Sequence, residues 1–242
     1  MINQLDKTTV FTGAYRNQNW FYNKYYYSGA NGRYHTFSAA LNLLKQKHPN
    51  PVIIETGCQR QADDIGGGMS TSIFAEYIKR HDGSLYTVDI SSRNLQTAAE
   101  CILKTVGNNI NINFVQSDSV AYLKDTNIVP DLLYLDSFDY PIGDMFIKYG
   151  GRYDHQLGER NLWEVSPQDL YEEFKSLITP CQEHCVKEFE AIQDRLKEDT
   201  ILLIDDNLLP GGGKPHLLKE KLAESEWVCL LDFQQSLWIR KL

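Results

Sequence analysis

The sequence predicts an α/β protein: a mostly parallel sheet covered by helices on both faces and completed by an antiparallel strand at the C-terminal end. Three observations carry this. Short, nearly all-apolar runs of strand length recur along the chain, as central parallel strands buried on both faces require. Segments with helical spacing lie between them, the alternation that builds a parallel sheet. Near the end, the runs 227–233 and 237–239 are separated only by Gln234, Gln235 and Ser236. A parallel pair needs a crossover of a dozen residues or so, so these two must be antiparallel neighbours.

The strand candidates are Val52–Ile54, Leu85–Val88, Ile112–Val115, Leu132–Leu135 and Ile201–Ile204. Helical patterns fall at Thr71–Arg80, Leu95–Thr105, Ser119–Lys124 and Cys185–Leu196, the last from the spacing of Val186, Phe189, Ile192 and Leu196. Pro215 opens a further helix to Ser225, proline being favoured in a first turn. Two pieces stand outside the alternation. Residues 1–51 hold Tyr15, Trp20, Phe21, Tyr22, Tyr25, Tyr26, Tyr27 and Tyr34, then a helix over Phe37–Lys47. Residues 138–180 form a long insertion, either a functional lid or a pair of short helices such as 167–178. The organisation expected is an aromatic N-terminal segment, 1–51, and one domain, 52–242.

The 242 residues suit one sizeable domain. Hydrophobic residues at 42% and charged residues at 23% exclude a disordered chain. With 24 Lys and Arg against 32 Asp and Glu, the formal charge of -8 repels a phosphate backbone, so nucleic acid is not an expected partner. No run approaches the roughly 20 apolar residues of a membrane span, and MINQLDKTTV lacks a signal-peptide core. The expected location is cytoplasmic, with no membrane partner and the five cysteines reduced. Cys181, His184 and Cys185 have no second ligand pair to complete a zinc site.

In open α/β sheets ligands bind outside the carboxyl ends of the strands. Here those ends carry Glu55, Asp89, Asp118, Asp136 and the pair Asp205 and Asp206. With VIIETGC, GGGMST, LYTVDIS, NFVQSDS, LLYLDS, ILLIDDN and the terminal antiparallel pair, the chain from about 52 to 242 resembles the class I S-adenosylmethionine-dependent methyltransferases, whose sheet is Rossmann-like. Within that fold it is similar to a subgroup of small O-methyltransferase-like proteins. The resemblance implies S-adenosylmethionine as cofactor and a small molecule, a sugar or secondary metabolite, as acceptor.

The residue chemistry agrees with the roles so implied. Gly57, and Gly66, Gly67 and Gly68 before the first helix, let backbone approach a ligand without a Cβ in the way. Ser70 and Thr71 begin a helix whose free N–H groups suit a carboxylate. The resemblance puts Glu55 near the cofactor's amino group, Asp89 on its ribose hydroxyls, Ser117 and Asp118 at its adenine, and Asp136 beside it. One departure is the longer loop Gln59–Ile65; Asp63 and Asp64 in it, and Cys58 just before it, lie either at the ligand or in solvent.

An alcohol acceptor needs a base or a metal that lowers its pKa. Asp136, Asp205, Asp206 and Asn207 resemble the oxygen ligands of divalent-metal O-methyltransferases of the catechol type, which suit Mg2+ or another hard cation. Asp205 with Asp206, or Asp206 with Asn207, would complete the set. That type carries a lysine base three residues past its fourth-strand acid, where this chain has Asp139. Asp136, Asp139 and His184 are therefore the catalytic candidates, with His155 as a further base. His184 stands four residues before Glu188, so the two share a helix face. His35 and His216 are weaker candidates.

The aromatic start suits a lid, a sugar-stacking surface, a homo-oligomer interface or plain packing. Arg33, Lys148, Arg152 and Arg160 would steer a phosphorylated acceptor. Two rival functions remain open: an NAD-dependent oxidoreductase or sugar-nucleotide enzyme, and a non-catalytic cofactor-binding protein.

Overall fold

The computed structural model describes Trp20, Phe21, Tyr25 and residues 33–61, 69–141 and 167–240. In chain order the elements are α1 (Arg33–Lys47), β1 (Val52–Thr56), α2 (Ser70–His81), β2 (Ser84–Asp89), α3 (Ser92–Thr105), β3 (Ile112–Gln116), α4 (Ser119–Asp125), β4 (Leu132–Leu135), α5 (Pro167–Ile192), β5 (Ile201–Ile204), α6 (His216–Ala223), β6 (Trp227–Asp232) and β7 (Ser236–Arg240). The seven strands among the described residues form one sheet in the order β3-β2-β1-β4-β5-β7-β6. β1 to β5 are mutually parallel, and β7 lies antiparallel between β5 and β6.

The period of two along the central strands sorts their side chains into two cores. Ile53, Leu132, Tyr134, Ile201 and Leu203 face a cluster with α1 and α2, while Ile54, Leu133, Leu135, Leu202 and Ile204 face α4, α5 and α6. All ten are buried. Burying such a side chain contributes about 1.5–3 kcal/mol, so Leu203→Ala would cost about 2–5 kcal/mol. The same parity turns Glu55 and Asp205 toward the α1 and α2 side at the strand ends.

The described aromatics of the N-terminal segment belong to the first core. Phe21, Tyr25, Tyr34 and Phe37 are buried there, with Phe21 stacked on Tyr34 at a centroid distance of 5.0 Å. The Tyr25 hydroxyl donates to Glu76 of α2. Tyr15, Tyr22, Tyr26 and Tyr27 lie outside the described residues.

The stretches expected as separate helices at 167–178 and 185–196 are one helix, α5, ending in a 3-10 turn at Gln193–Arg195. Pro180 lies inside it. A proline removes one N–H and leaves the carbonyl four residues back without a helical donor. Here Pro180 and Ser176 are both exposed, so the freed carbonyl faces solvent. No helix among the described residues is long and apolar enough to cross a membrane.

Candidate active site

β1 ends at Thr56, and Gly57 turns the chain with φ +79, where its N–H donates to the Val88 carbonyl at 2.8 Å. A Cβ on Gly57 would run into the Asp136 carbonyl, so the loops after β1 and β4 touch backbone to backbone only because this residue is glycine. Between these loops and the end of β2 runs one cleft made of two adjoining cavities, of about 110 and about 250 Å3. Gly57, Asp89, Ile90 and Ser137 line both. Ser70, Asp136 and Asp139 belong to the first half, and Ser117, Asp118, Phe138 and His184 to the second.

Glu55 is fully buried beside the start of α2. Thr87 Oγ1 donates to its Oε2 at 3.0 Å, while Oε1 has no partner among the described residues. Burial pushes the Glu55 carboxyl up to about 7, against the Ser70, Thr71 and Thr87 hydroxyls, which favour its charged form. The loop after β1 is tied to α2 by Gln59, whose N–H donates to Thr71 Oγ1 at 2.8 Å and whose Oε1 accepts from Ser72 Oγ at 2.5 Å. Gly66, Gly67, Gly68, Asp63 and Asp64 lie outside the described residues, as do Lys148, Arg152, His155 and Arg160.

Asp89 ends β2 on the cleft wall. Its carboxylate accepts from Ser91 N at 2.7 Å, from Asn94 Nδ2 at 3.3 Å and from the Cys58 thiol at 3.3 Å. Burial, with Asp89 nearby, pushes the Cys58 thiol well up, so it is a donor and not a thiolate. Ile90 beside it is 73% exposed, an apolar wall for a flat ligand. Asp118 caps α4 by accepting from Ala121 N at 2.9 Å, and Ser117 Oγ donates to the Asp118 carbonyl.

The acids after β4 and β5 come together, but with cations of the chain itself. The Lys214 ammonium donates to Asp136 Oδ1 at 2.5 Å and lies 2.9 Å from Asp206 Oδ2. Arg33 Nε reaches both oxygens of Asp205, at 2.9 and 3.0 Å, and its Nη2 reaches Asp206 Oδ1 at 3.3 Å. The Tyr134 hydroxyl donates to Asp205 Oδ2 and accepts from Gln235 Nε2, whose side chain also takes a bond from Thr36 at 2.5 Å. Burial alone would lower the pKa of Lys214; Asp136 and Asp206 outweigh it and hold the lysine above its usual range. Burial raises Asp136 well above the carboxylate range, helped by Asp205 and Asp206 and opposed by Lys214.

The expected divalent-metal set does not fit this arrangement. Asp136, Asp205 and Asp206 already face Lys214 and Arg33, whose positive groups stand where a metal would have to sit. Asn207 turns the other way: its Nδ2 donates to Asp232 Oδ1 at 2.7 Å and to the Phe233 carbonyl, and its Oδ1 accepts from Lys219 at 2.9 Å. No group of three or more His, Cys, Asp or Glu able to hold a metal ion occurs among the described residues.

Asp139 is 75% exposed at the cleft mouth and pairs with Arg60 at 2.8 Å. His184 sits in the second half of the cleft, its Nε2 3.0 Å from Ser119 Oγ and from Ser137 Oγ, with the Phe138 ring against it. Glu188 takes the Ser137 hydroxyl at 2.7 Å and lies 3.9 Å from His184. Lys214 and Tyr134 were not singled out from the sequence, and Arg33 was read only as a steering charge. The available signal for Lys214 was the run GGGK soon after the fifth strand. Gly211, Gly212 and Gly213 all have positive φ, and they bend the chain back so that the next residue meets the strand ends.

No protein-family model and no curated protein matches the chain. Solved structures do match. NSun6 from Pyrococcus horikoshii with SFG gives a TM-score of 0.56 at 15% identity, covering 84% of this chain and 50% of that one, so this chain spans half its length. The SAH-bound methyltransferase PaMTH1 from Podospora anserina gives 0.51 at 14% identity, covering 99% and 97%. A candidate caffeoyl-CoA O-methyltransferase from Staphylococcus aureus gives 0.51 at 12% identity, covering 85% and 82%. The chain thus has the Rossmann-like methyltransferase fold, seven-stranded and mostly parallel with a C-terminal antiparallel pair.

Proposed function

We propose that the protein is an S-adenosylmethionine-dependent methyltransferase that methylates an oxygen of a small molecule. The observation that carries this reading is the cleft between Gly57, Asp89 and Asp136, with buried Glu55 behind Ser70 of its wall. The residues fit the cofactor by their chemistry. Glu55 Oε1 is a buried acceptor that makes no hydrogen bond among the described residues, although the Ser70 and Thr71 hydroxyls lie near the carboxylate, and the cofactor's methionine part ends in an ammonium. Asp89 holds two carboxylate oxygens for vicinal ribose hydroxyls, the geometry it would share with a dinucleotide site. Asp118 and Ser117 stand at the other half of the cleft, with Ile90 as the flat apolar wall.

When bound, the cofactor supplies a methyl group made electrophilic by its sulfonium. The protein's part is to align the acceptor and take its proton. We assign the proton to Asp136, whose carboxylate lines the cleft and is held there by Lys214. Asp139 and His184 are the alternatives. Asp139 is solvated, and His184 lies in the half of the cleft that Asp118 lines. The acid-lined edge and net charge of -8 favour a small acceptor over a nucleic acid.

The NAD reading has one support, Asp89 at the end of the second strand. Against it, an all-parallel dinucleotide sheet has no place for β7 running antiparallel between β5 and β6. Calorimetric titration with S-adenosylhomocysteine and, separately, NAD tests the choice. Binding of the first alone is the expected result; binding of NAD alone would overturn it. Methyl transfer from labelled cofactor to a pool of hydroxylated small molecules then separates an enzyme from a non-catalytic binder.

A further inference from the structure

Lys214 is buried, 5% exposed at its side chain, between the carboxylates of Asp136 and Asp206. Its position is set by more than its ion pairs. Gly213 packs so tightly against the end of β5 that a Cβ there would collide with the Asp206 carbonyl. Gln182 of α5, fully buried, donates from Nε2 to the carbonyls of Gly211 at 3.1 Å and Gly213 at 3.0 Å. The loop bearing Lys214 is therefore clamped from both sides. Asp206 itself sits at φ 56, a left-handed conformation that an L residue adopts only when its surroundings hold it there.

We propose that Lys214 is the resident cation of the acceptor side of the cleft, replacing a divalent ion by bridging Asp136 and Asp206, and that this side of the site works without metal. The proposal rests on the methyltransferase reading for what the site is used for, but not for the cation itself. A hard divalent ion binds carboxylate oxygens at about 2.0–2.6 Å. The ammonium already stands 2.5 and 2.9 Å from the two oxygens such an ion would take. A divalent ion would have to displace the ammonium from that pair of oxygens, and the clamped loop keeps the Lys214 backbone beside them. Lys214 is in this sense a positioning residue: it holds the Asp136 carboxylate, partly exposed at 24%, toward the cleft.

The test uses Mn2+ as the probe, followed by its free-ion electron paramagnetic resonance signal, on the full chain. Wild type should leave Mn2+ free up to roughly 1 mM, and Lys214→Ala should bind it at least about tenfold more tightly, because three carboxylates then face Arg33 alone. Adding Asp206→Asn to Lys214→Ala should remove the gain. A merely structural lysine would not create a metal site on removal. Lys214→Met, which keeps the stem and drops the charge, repeats the measurement if the alanine variant does not fold. Wild-type binding below roughly 1 mM that Asp206→Asn abolishes would overturn the proposal. So would folded Lys214 variants that bind Mn2+ no better than wild type. S-adenosylhomocysteine calorimetry on the same samples keeps the two readings apart: its failure sinks the methyltransferase assignment and leaves the Mn2+ result standing.

Discussion

Arg33 and Asp205, 172 positions apart, form a forked ion pair in which Nε lies 2.9 and 3.0 Å from the two carboxylate oxygens. Asp205 has no exposed side-chain surface, and Arg33 has 16%. The pair locks the first helix onto the end of the central strand β5, next to the acids that line the cleft. Removing one partner of a buried pair leaves a charge without compensation, at a cost of about 3–5 kcal/mol. Arg33→Ala should lower the free energy of unfolding by that amount in urea denaturation, and Arg33→Lys should recover part of it. A change below about 0.5 kcal/mol, the size of a neutral surface substitution, would show that the pair does not anchor the helix.

Glu55 should make the ligand-free protein less stable as pH rises. Its folded value of about 7 lies above its ordinary value of 4.5, so the native state binds the proton more tightly than the unfolded chain does. The stability is therefore full below about 4.5 and falls as pH rises through about 7. A raised carboxyl of this size corresponds to on the order of 3 kcal/mol. Unfolding of wild type and Glu55→Gln compared at pH 5 and pH 8 should show the glutamine variant gaining on wild type at the higher pH. Its affinity for S-adenosylhomocysteine should fall, because the buried acceptor loses its charge.

Asp89→Asn keeps a side chain that can accept from Ser91 N but loses the second carboxylate oxygen. Hydrogen bonds to a charged group contribute about 1.5–3 kcal/mol, so S-adenosylhomocysteine should bind roughly 10- to 150-fold more weakly, with little loss of fold stability. Calorimetry checks the affinity and circular dichroism the fold. Unchanged affinity would remove Asp89 from the ribose role.

Gly57→Ala is expected to hurt both folding and binding. The position needs φ +79, and the new methyl group would meet the Asp136 carbonyl. Left-handed strain costs a non-glycine residue about 1–3 kcal/mol before the collision is counted. The measurable result is a lower melting temperature together with weaker S-adenosylhomocysteine binding. Normal melting and binding would mean that the β1 and β4 loops can part without consequence.

The readable parts of the fold were those set by local pattern. Val52–Ile54, 132–135 and 201–204 are strands because they are apolar on both faces, and a central parallel strand needs just that. The acids at their ends were visible because strand ends follow from the runs. The long helix α5 was legible only as two stretches, 167–178 and 185–196; the structure joins them through Pro180, whose freed carbonyl partner Ser176 is exposed. The order β5-β7-β6 was likewise beyond the pattern, which marked an antiparallel pair but not where it joins the sheet.

The cluster of acids shows where the two kinds of information divide. Sequence by itself determined that Asp136, Asp205 and Asp206 share one edge of a sheet, because each follows the carboxyl end of an apolar strand and parallel strands bring those ends together. It also determined that such a cluster needs a positive partner, since like charges brought together out of water repel. Only the tertiary structure decided which partner. Lys214 and Arg33 come from a glycine-turned loop and from a helix far back in the chain, and no local spacing relates either to Asp136. Side-chain charge is written in the sequence, but the few ångströms that turn two charges into a pair are set by how separate elements pack.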